Sequence, residues 1–297
     1  MEYVLRTSKL TKSFGSKRAV DGVSMQIKKG DIYGFIGKNG AGKTTLMRLV
    51  LGVAEPTSGN IELFGGRPSS SARHRIGALL EYPCLYKNCS AYENLKRFAI
   101  LTGSGTMEIS RILKLVGLDK VGNKKVSGFS LGMKQRLGIG IALLGNPDFL
   151  ILDEPVNGLD PAGIKEIRDV ILRLNREKGI TFLISSHLLD ELAKIVTTYG
   201  IINNGQLVEQ ISAEELEARC RHQLKITVDN PDKAYALLSC IADRSSMKLE
   251  GNSIYMYTLI DRSEDINRLL VRHGIKVKEL NIQSDRLEEY FIERLGD

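Results

Sequence analysis

A glycine-rich loop near the start of the chain has the residue types and the spacing of a phosphate-binding site. Residues 37–44 read Gly-Lys-Asn-Gly-Ala-Gly-Lys-Thr, which matches the pattern GxxxxGK[ST] in full. The glycines let the backbone curl until its N–H groups converge on phosphate oxygens, and a helix that begins near Gly42 adds its positive end. Lys43 would place its charge on the β- and γ-phosphates, and Thr44 would offer its hydroxyl to Mg²⁺. The nucleotide-binding residues predicted in this loop are Gly37, Asn39, Gly40, Ala41, Gly42, Lys43, Thr44 and Thr45.

Two carboxylates follow a short apolar run and supply the other half of a hydrolytic site. Residues 149–152 predict a buried parallel strand, and Asp153 and Glu154 come directly after it. Open α/β sheets bind their ligands at this carboxyl edge. Asp153 would hold Mg²⁺, directly or through water, and Glu154 would orient and polarise an attacking water molecule. Taken alone, the pair is equally typical of a solvated strand end, and the phosphate loop upstream is what favours catalysis.

Alternating strand and helix patterns surround both groups and predict an α/β architecture. A strand over 31–36 leads into the phosphate loop, and a helix over 44–51 leads out of it. Residues 90–145 are predicted to be mainly helical, with a Gly-Ser break at 102–105. The other elements predicted in this part of the chain are a helix over 161–178, a strand over 181–184 and a hairpin over 199–210 with Asn204-Gly205 at its turn.

The character of the sequence changes near residue 211. Residues 212–215 read Ser-Ala-Glu-Glu, the form of a capping box that opens a short helix. The order of elements beyond it, β-α-β-α-β and then a last helix, predicts a small α+β domain of about 80 residues. Its role, whether dimerisation, regulation or packing support, stays open. The predicted strands cover 224–228, 253–257 and 275–277, and the predicted helices cover 233–242, 265–273 and 287–295.

Composition and charge narrow the classes of protein that remain. The net charge of +7 is uneven, because residues 1–90 hold 14 Lys and Arg against 6 Asp and Glu. An N-terminal third rich in Lys and Arg is typical of a surface that binds phosphates, nucleic acid or anionic lipid. It is equally typical of a basic surface that only contacts solvent. The absence of Trp argues against a stacking platform for single-stranded nucleic acid. The four Cys and four His show no zinc spacing, and no signal peptide or membrane-spanning run is expected.

The segment ahead of the carboxylate strand resembles a family signature. Residues 129–136 read Phe-Ser-Leu-Gly-Met-Lys-Gln-Arg, and Ser130, Gly132 and the closing Gln-Arg match the LSGGQ signature of ABC ATPases. Phe129, Leu131 and Met133 depart from it. A serine that opens a helix points the positive helix end at an anion. The resemblance implies that this anion is the γ-phosphate of a nucleotide held by a partner subunit.

Further elements of the ABC family follow in the family's order. Phe14 sits where an aromatic residue stacks on adenine, residues 157–160 occupy the place of the dimer-contacting D-loop, and His187 that of the γ-phosphate-sensing switch histidine. The resemblance covers about residues 1–210. It implies a P-loop NTPase core of the ABC ATPase type over 1–211, with a helical subdomain over about 82–146, and an accessory α+β domain over 212–297.

One departure from the family pattern concerns residue 81. The family places Gln there, in its Q-loop, and this chain has Glu81. Glu at that position, the Gly-Met-Lys-Gln-Arg run and the C-terminal appendage are similar to the bacitracin-resistance and lantibiotic-immunity ATPases. The resemblance implies that Glu81 coordinates Mg²⁺ or a water molecule through oxygen while adding a negative charge. A neutral substitution without functional effect is the alternative.

The resemblance implies the ATP-binding and ATP-hydrolysing subunit of an ABC transporter, which uses ATP and Mg²⁺ and powers a separate transmembrane permease. Export of an antimicrobial peptide or another amphipathic compound is expected, with two copies or two different subunits pairing as a dimer. The protein is expected in the cytoplasm, peripheral on the inner face of the cell membrane, and nucleic acid is not an expected partner. An ABC ATPase of repair or translation and an ATP-binding sensor module are the alternatives. The single phosphate loop and the complete catalytic set weigh against them.

Overall fold

The computed structural model describes residues 2–186, 193–219, 222–284, 290–291 and 294–295. Within it the chain divides into two compact units, Met1–Ala213 and Glu214–Asp297. Each unit has its own apolar core. None of the described helices has the length and apolar character needed to span a bilayer.

The first unit contains two sheets and a set of helices. Its strands, in chain order, are β1 (Tyr3–Phe14), β2 (Lys17–Val23), β3 (Gln26–Lys28), β4 (Ile32–Ile36), β5 (Ser58–Leu63), β6 (Ile76–Leu79), β7 (Phe149–Asp153), β8 (Thr181–Ser186), β9 (Thr198–Asn203) and β10 (Gln206–Ser212). Its helices are α1 (Lys43–Leu51), α2 (Ser70–His74), α3 (Ala91–Leu101), α4 (Ile109–Leu115), α5 (Leu131–Ala142) and α6 (Pro161–Lys178). Short 3₁₀ turns cover Thr106–Glu108 and Val126–Gly128.

The larger sheet has the order β10-β9-β4-β8-β7-β6. Strands β9, β4, β8, β7 and β6 are parallel to their neighbours, and only β10 pairs antiparallel, with β9. Every residue of β4, β7 and β8 is buried, as expected for parallel strands covered on both faces. Because β4, β8 and β7 are parallel, the carboxyl ends of β4 and β7 lie at the same edge of the sheet, on either side of β8. The predicted strands and the α/β class are confirmed.

The smaller, antiparallel sheet has β1 at its centre, paired with β2, β3 and β5. The sequence pattern did not predict it. Several of its register positions are shifted, and Lys9 within β1 has a left-handed backbone with φ of 47°. A bulge of this kind breaks the regular alternation of buried and exposed residues by which a strand is recognised.

Local signals account for the ends of the helices. Asp160 caps α6 by accepting a hydrogen bond from the Gly163 amide (3.0 Å), and Gly179 ends it in a left-handed conformation. Ser90 and Glu93 form a reciprocal capping box on α3. The hydrogen bond from the Ser90 backbone amide holds the pKa of the Glu93 carboxyl below its usual range. The helix predicted over 161–178 is confirmed at both ends.

The hairpin of β9 and β10 turns at the predicted dipeptide. Asn204 and Gly205 have φ values of 46° and 81°. Two successive residues in the left-handed region are what a two-residue type I′ turn requires. The hairpin prediction is confirmed.

The second unit is built from a four-stranded antiparallel sheet and helices. In chain order its elements are α7 (Ala213–Arg219), which begins at the boundary, β11 (His222–Val228), α8 (Pro231–Leu238), β12 (Met247–Glu250), β13 (Ser253–Met256), α9 (Ser263–Arg272) and β14 (Val277–Ser284), with 3₁₀ turns at Arg244–Ser246 and Ile260–Arg262. The sheet order is β12-β13-β11-β14. From β11 onward the order is β-α-β-β-α-β, the ferredoxin-like arrangement. The predicted α+β fold class of this part of the chain is confirmed.

The predicted order of elements in this unit was wrong, because it lacked one strand. The sequence predicted β-α-β-α-β and omitted β12, of which only Met247 is buried, so that no apolar alternation marks it. Strand β14 begins at Val277, where the predicted strand over 275–277 ends, and the exposed Lys278, Glu279 and Asn281 along it give no apolar alternation. The helix predicted over 233–242 ends earlier, at Leu238. The last helix, predicted over 287–295, falls largely outside the described residues.

A close approach between α5 and β6 provides a test of the core. A Cβ added to Gly77 in β6 would lie 1.9 Å from the carbonyl oxygen of Ala142, a backbone atom that cannot move alone. We expect Gly77→Ala to lower the free energy of unfolding by about 1–3 kcal/mol, the usual cost of overpacking. Urea unfolding followed by circular dichroism measures it. Gly105→Ala is the matched control, because an added Cβ there meets no atom within 4 Å. Equal stability of the two variants would contradict the packing described.

Candidate functional site

The phosphate loop and the carboxylate strand end meet in one pocket. A cavity of about 350 Å³ opens at the sheet edge where β4 and β7 end. Two residue groups about 110 positions apart in the sequence thus form a single site, as the sequence predicted for the two halves. The residues that line the cavity are Phe14, Lys17, Ala19, Asn39, Gly40, Gly42, Lys43, Thr44, Thr45, Asp153 and Glu154.

The loop backbone needs its glycines for a steric reason. Gly40 and Gly42 have φ values of 81° and 108°, in the region that side chains disfavour. A Cβ on Gly42 would also lie 2.3 Å from the carbonyl oxygen of Ala19. Gly42 is the residue immediately before α1, so its conformation sets how the loop enters the helix. The amides of the first turn of α1 are thereby left to face the cavity, where an anion is favoured.

Lys43 lies at the floor of the loop with its side chain only 6% exposed. Its ammonium donates a hydrogen bond to the carbonyl oxygen of Gly37 (2.6 Å), and its Nζ lies 3.5 Å from Oε1 of Glu154. A buried ammonium is costly unless it is paired and hydrogen-bonded, and both conditions are met here. The charge is therefore held at the cavity wall in a fixed position.

Thr44 and Asp153 join the two halves of the site directly. The Thr44 hydroxyl donates to Oδ2 of Asp153 at 2.7 Å, and Ser185 donates its hydroxyl to Oδ1 at 2.5 Å. Asp153 is buried, and its carboxylate is positioned from both sides. A hydroxyl and a carboxylate oxygen side by side are a donor set suited to Mg²⁺, which prefers oxygen ligands and is commonly held by one or two carboxylates.

Glu154 follows in a left-handed conformation, with φ of 50°. Its backbone amide donates to the Ser185 hydroxyl (2.8 Å), which anchors the turn that follows β7. A non-glycine residue in this region costs on the order of 1 kcal/mol and is often found at functional sites. The conformation directs the Glu154 carboxylate toward Lys43, at the side of the cavity where the loop lies.

Phe14 forms the outer wall of the cavity. The ring stands at the end of β1 and is 58% exposed. The ammonium of Lys12 lies 5.1 Å from the ring centroid and donates to the carbonyl oxygen of Glu55, which fixes its position. A large exposed ring beside a phosphate loop is suited to stacking on a planar base.

Three predicted site residues lie elsewhere in the described structure. Ser130 caps α5 by accepting a hydrogen bond from the Met133 amide (3.2 Å), and Gly132 is buried in the first turn of that helix. Glu81 lies two residues beyond β6, where its carboxylate accepts a hydrogen bond from Nη2 of Arg48 (2.8 Å). None of the three is among the described residues that line the cavity. His187 lies outside the described residues.

Sequence reasoning missed three residues of the site. Lys17 and Ala19 line the cavity because β2 pairs antiparallel with β1 beside Phe14, and that sheet was not predicted. Ser185 holds both Asp153 and the Glu154 amide. The one signal for it was a hydroxyl within a buried strand, which must find a hydrogen-bond partner.

The fold and this pocket define a nucleotide-binding ATPase of the P-loop class. Residues 20–157 match the family described as ABC transporter. The chain is 42% identical over 301 residues to the bacitracin transport ATP-binding protein BcrA of Bacillus licheniformis, with 100% of this chain and 98% of that protein covered. It is also 42% identical over 224 residues to the lantibiotic transport ATP-binding protein SrtF of Streptococcus pyogenes, covering 74% and 97% of the two chains.

Solved structures agree with the sequence comparison. The structure of cbiO1 from Clostridium perfringens, part of the ABC transporter complex cbiONQ, aligns with a TM-score of 0.68 and 28% identity, covering 74% of this chain and 92% of that one. The chain belongs to the ABC transporter family and is the ATP-binding, ATP-hydrolysing subunit of such a transporter. Members of the family bind ATP, generally with Mg²⁺.

The double role of Ser185 can be tested. Ser185→Ala removes the donor to Asp153 and the acceptor for the Glu154 amide in a fully buried place. We expect the free energy of unfolding to fall by about 1–3 kcal/mol, because a buried polar group loses its partner. Urea unfolding measures the loss. Ser127→Ala, at an exposed serine outside this network, should change it by less than about 0.5 kcal/mol. A neutral Ser185→Ala would show that the network does not hold the strand end.

Proposed function

We propose that this cavity binds ATP together with Mg²⁺. The proposal rests on one observation: a buried lysine, a threonine hydroxyl and two carboxylates meet beside a glycine loop. The backbone amides of residues 37–45 and the Lys43 ammonium would bind the phosphate oxygens. Phe14 would stack on the adenine ring. The loop residues concerned are Gly37, Asn39, Gly40, Ala41, Gly42, Lys43, Thr44 and Thr45.

The magnesium ligands we propose are Thr44 and Asp153, with Glu81 joining when its segment moves. Magnesium held there would neutralise charge on the phosphate oxygens. The oxygen donor set of Thr44 and Asp153 supports this assignment, and so does the clamping of Asp153 by Ser185.

For hydrolysis, Glu154 would accept a hydrogen bond from the attacking water and orient it toward the γ-phosphate. Its proximity to Lys43, at 3.5 Å, supports this role, because a group beside Lys43 is also beside the phosphates that Lys43 binds. By the resemblance to the family, His187 would contact the γ-phosphate and sense its loss.

We propose that Ser130 and Gly132 complete the site of a second subunit. Ser130 is exposed at the N-terminus of α5, the end of the helix that favours an anion. A nucleotide held between the loop of one subunit and this helix end of another would join the two, and hydrolysis would release them. The pair consists of two copies of this chain or of this chain and a related one.

The wider assembly follows from the family. We propose that residues 1–211 form the catalytic unit, with a helical subdomain over about 82–146, and that 212–297 form an accessory unit. The catalytic unit would bind a separate transmembrane permease and lie on the inner face of the cell membrane through it. Similarity to proteins of bacitracin and lantibiotic transport supports an antimicrobial peptide as the exported substrate.

The catalytic role of Glu154 can be tested by Glu154→Gln. The variant should bind ATP as the wild type does and form an ATP-dependent dimer. Its turnover should fall by 10²–10⁴-fold, the usual contribution of a general base. Phosphate release measures turnover, and size-exclusion chromatography with light scattering measures the dimer. Glu177→Gln, an exposed position on α6, should leave both unchanged. Full turnover in Glu154→Gln would remove Glu154 from its role.

The substrate class can be tested in cells. The chain, expressed with its own permease in a host sensitive to bacitracin, should raise the inhibitory concentration of bacitracin severalfold. With Glu154→Gln the resistance should disappear, because hydrolysis powers export. An ATPase-active pair that leaves sensitivity to bacitracin and to lantibiotics unchanged would contradict the proposed substrate class while leaving the ATPase assignment intact.

A further inference from the structure

Glu81 has an unusual backbone conformation, and its side chain forms an ion pair with Arg48. Its φ is 58°, in the left-handed region, although it is not a glycine. Its Oε1 lies 2.8 Å from Nη2 of Arg48, and both side chains are largely exposed. The segment that follows β6 thus leaves the sheet with its carboxylate turned onto the surface of α1.

Helix α1 carries two carboxylate contacts on one face. Thr44 and Arg48 are four residues apart and so lie one above the other along the helix, about 6 Å apart in rise. Thr44 contacts Asp153, and Arg48 contacts Glu81. The two acidic side chains therefore lie against the same helix, one turn apart.

The sheet places the two carboxylates at the same edge. Strand β6 runs parallel to β7, with Leu79 opposite Leu152. Asp153 follows Leu152 directly, and Glu81 comes two residues after Leu79. Glu81 thus leaves the sheet at the edge where Thr44 and Asp153 meet, and its partner Arg48 lies one helical turn beyond Thr44 along α1.

We propose that Arg48 is a latch that holds Glu81 outside the nucleotide site until the site is filled. The inference rests on the proposed binding of Mg²⁺ and ATP beside Thr44 and Asp153. Filling the site offers the Glu81 carboxylate a competing cation, and the segment beyond β6 then moves one turn along α1. Arg48 is a positioning residue in this scheme, because it acts only through Glu81.

The strength of the pair fits a latch. An exposed ion pair is weak and screened by salt, so exchanging one cation for another costs little free energy. The contact is the hydrogen bond from Nη2 of Arg48 to Oε1 of Glu81, which has to break for the carboxylate to leave. A glutamine at position 81 would carry no charge for Arg48 to hold, so the latch is specific to the glutamate of this chain.

The latch has a consequence for nucleotide affinity. Opening the pair is part of the cost of binding Mg²⁺ with ATP, so a chain without the pair should bind them more tightly. We expect Arg48→Gln, made in the Glu154→Gln background to prevent turnover, to lower the Kd for ATP in excess Mg²⁺ by about two- to fivefold, the range to which an exposed ion pair corresponds. In EDTA the Kd should not change. Equilibrium binding of ATP to the full chain by calorimetry measures both.

A second readout needs no nucleotide. In the free protein, Arg48→Gln should speed amide hydrogen exchange in residues 80–86, because the segment loses its anchor. Arg48→Lys should restore slower exchange in part, since it keeps the charge. Arg111→Gln, which breaks an ion pair with Glu108 of similar exposure, is the matched control and should affect neither readout.

A double-mutant cycle decides the mechanism. If Arg48 acts through Glu81, Arg48→Gln should have no effect in a Glu81→Gln background. An unchanged affinity in Arg48→Gln, or an equal change with glutamine at position 81 or in EDTA, would overturn the latch. Such results would leave the proposed function standing as long as the wild type binds ATP. A wild type that fails to bind ATP in Mg²⁺ would overturn both.

Discussion

The hydrogen bond between the Thr44 hydroxyl and the Asp153 carboxylate is the contact that joins the two halves of the cavity. It joins the first turn of α1 to the end of β7, two elements that no short stretch of chain connects. The strand order β4-β8-β7 makes it sterically feasible, because β8 separates the loop strand from the carboxylate strand by one position. Ser185, supplied by β8 itself, then fixes the same carboxylate from the other side.

The same arrangement determines which groups surround the positive charge in the cavity. The buried Lys43 ammonium is paired with the Glu154 carboxylate and hydrogen-bonded to the carbonyl oxygens of Gly37 and Lys38. Those partners also keep the ammonium pointed at the cavity instead of at solvent. A polyphosphate that entered would replace weak partners by stronger ones and would find the charge already in position. The site is thus organised before its ligand arrives.

The sequence predicted those parts of the structure whose signals are local. Residues 149–152 are continuously apolar and became the buried strand β7, and the Asn204-Gly205 turn formed as expected. The antiparallel sheet around β1 and the strand β12 were not predictable, because their side chains do not alternate regularly between core and solvent. These strands are identified by their pairing, of β12 with β13 and of β1 with β2, β3 and β5, which the pattern of side chains along one strand does not contain.

The residues of the candidate site also fall into those with a local sequence signal and those without one. A motif of fixed spacing identifies Lys43 and Thr44, because the residues of a phosphate loop are consecutive in the sequence. No spacing links Ser185 to Asp153 or Arg48 to Glu81, which meet only after the sheet has formed. Contacts across 32 and 33 positions of sequence are decided by topology, so sequence reasoning finds the residues proposed to touch the nucleotide before those that orient them.

The close packing of helix α5 against strand β6 at Gly77 has a mechanical consequence. Helix α5 spans residues 131–142, about 18 Å, with Ser130 at one end and the Ala142 carbonyl pressed on Gly77 at the other. Four residues beyond Gly77 stands Glu81. With no Cβ between them, strand β6 and helix α5 lie in close contact, so a displacement of the segment around Glu81, as in the proposed latch, would tilt α5 as a rigid body and move Ser130. In the proposed dimer, the contact at Gly77 would then be the fulcrum between the nucleotide site and the helix end that faces the second subunit.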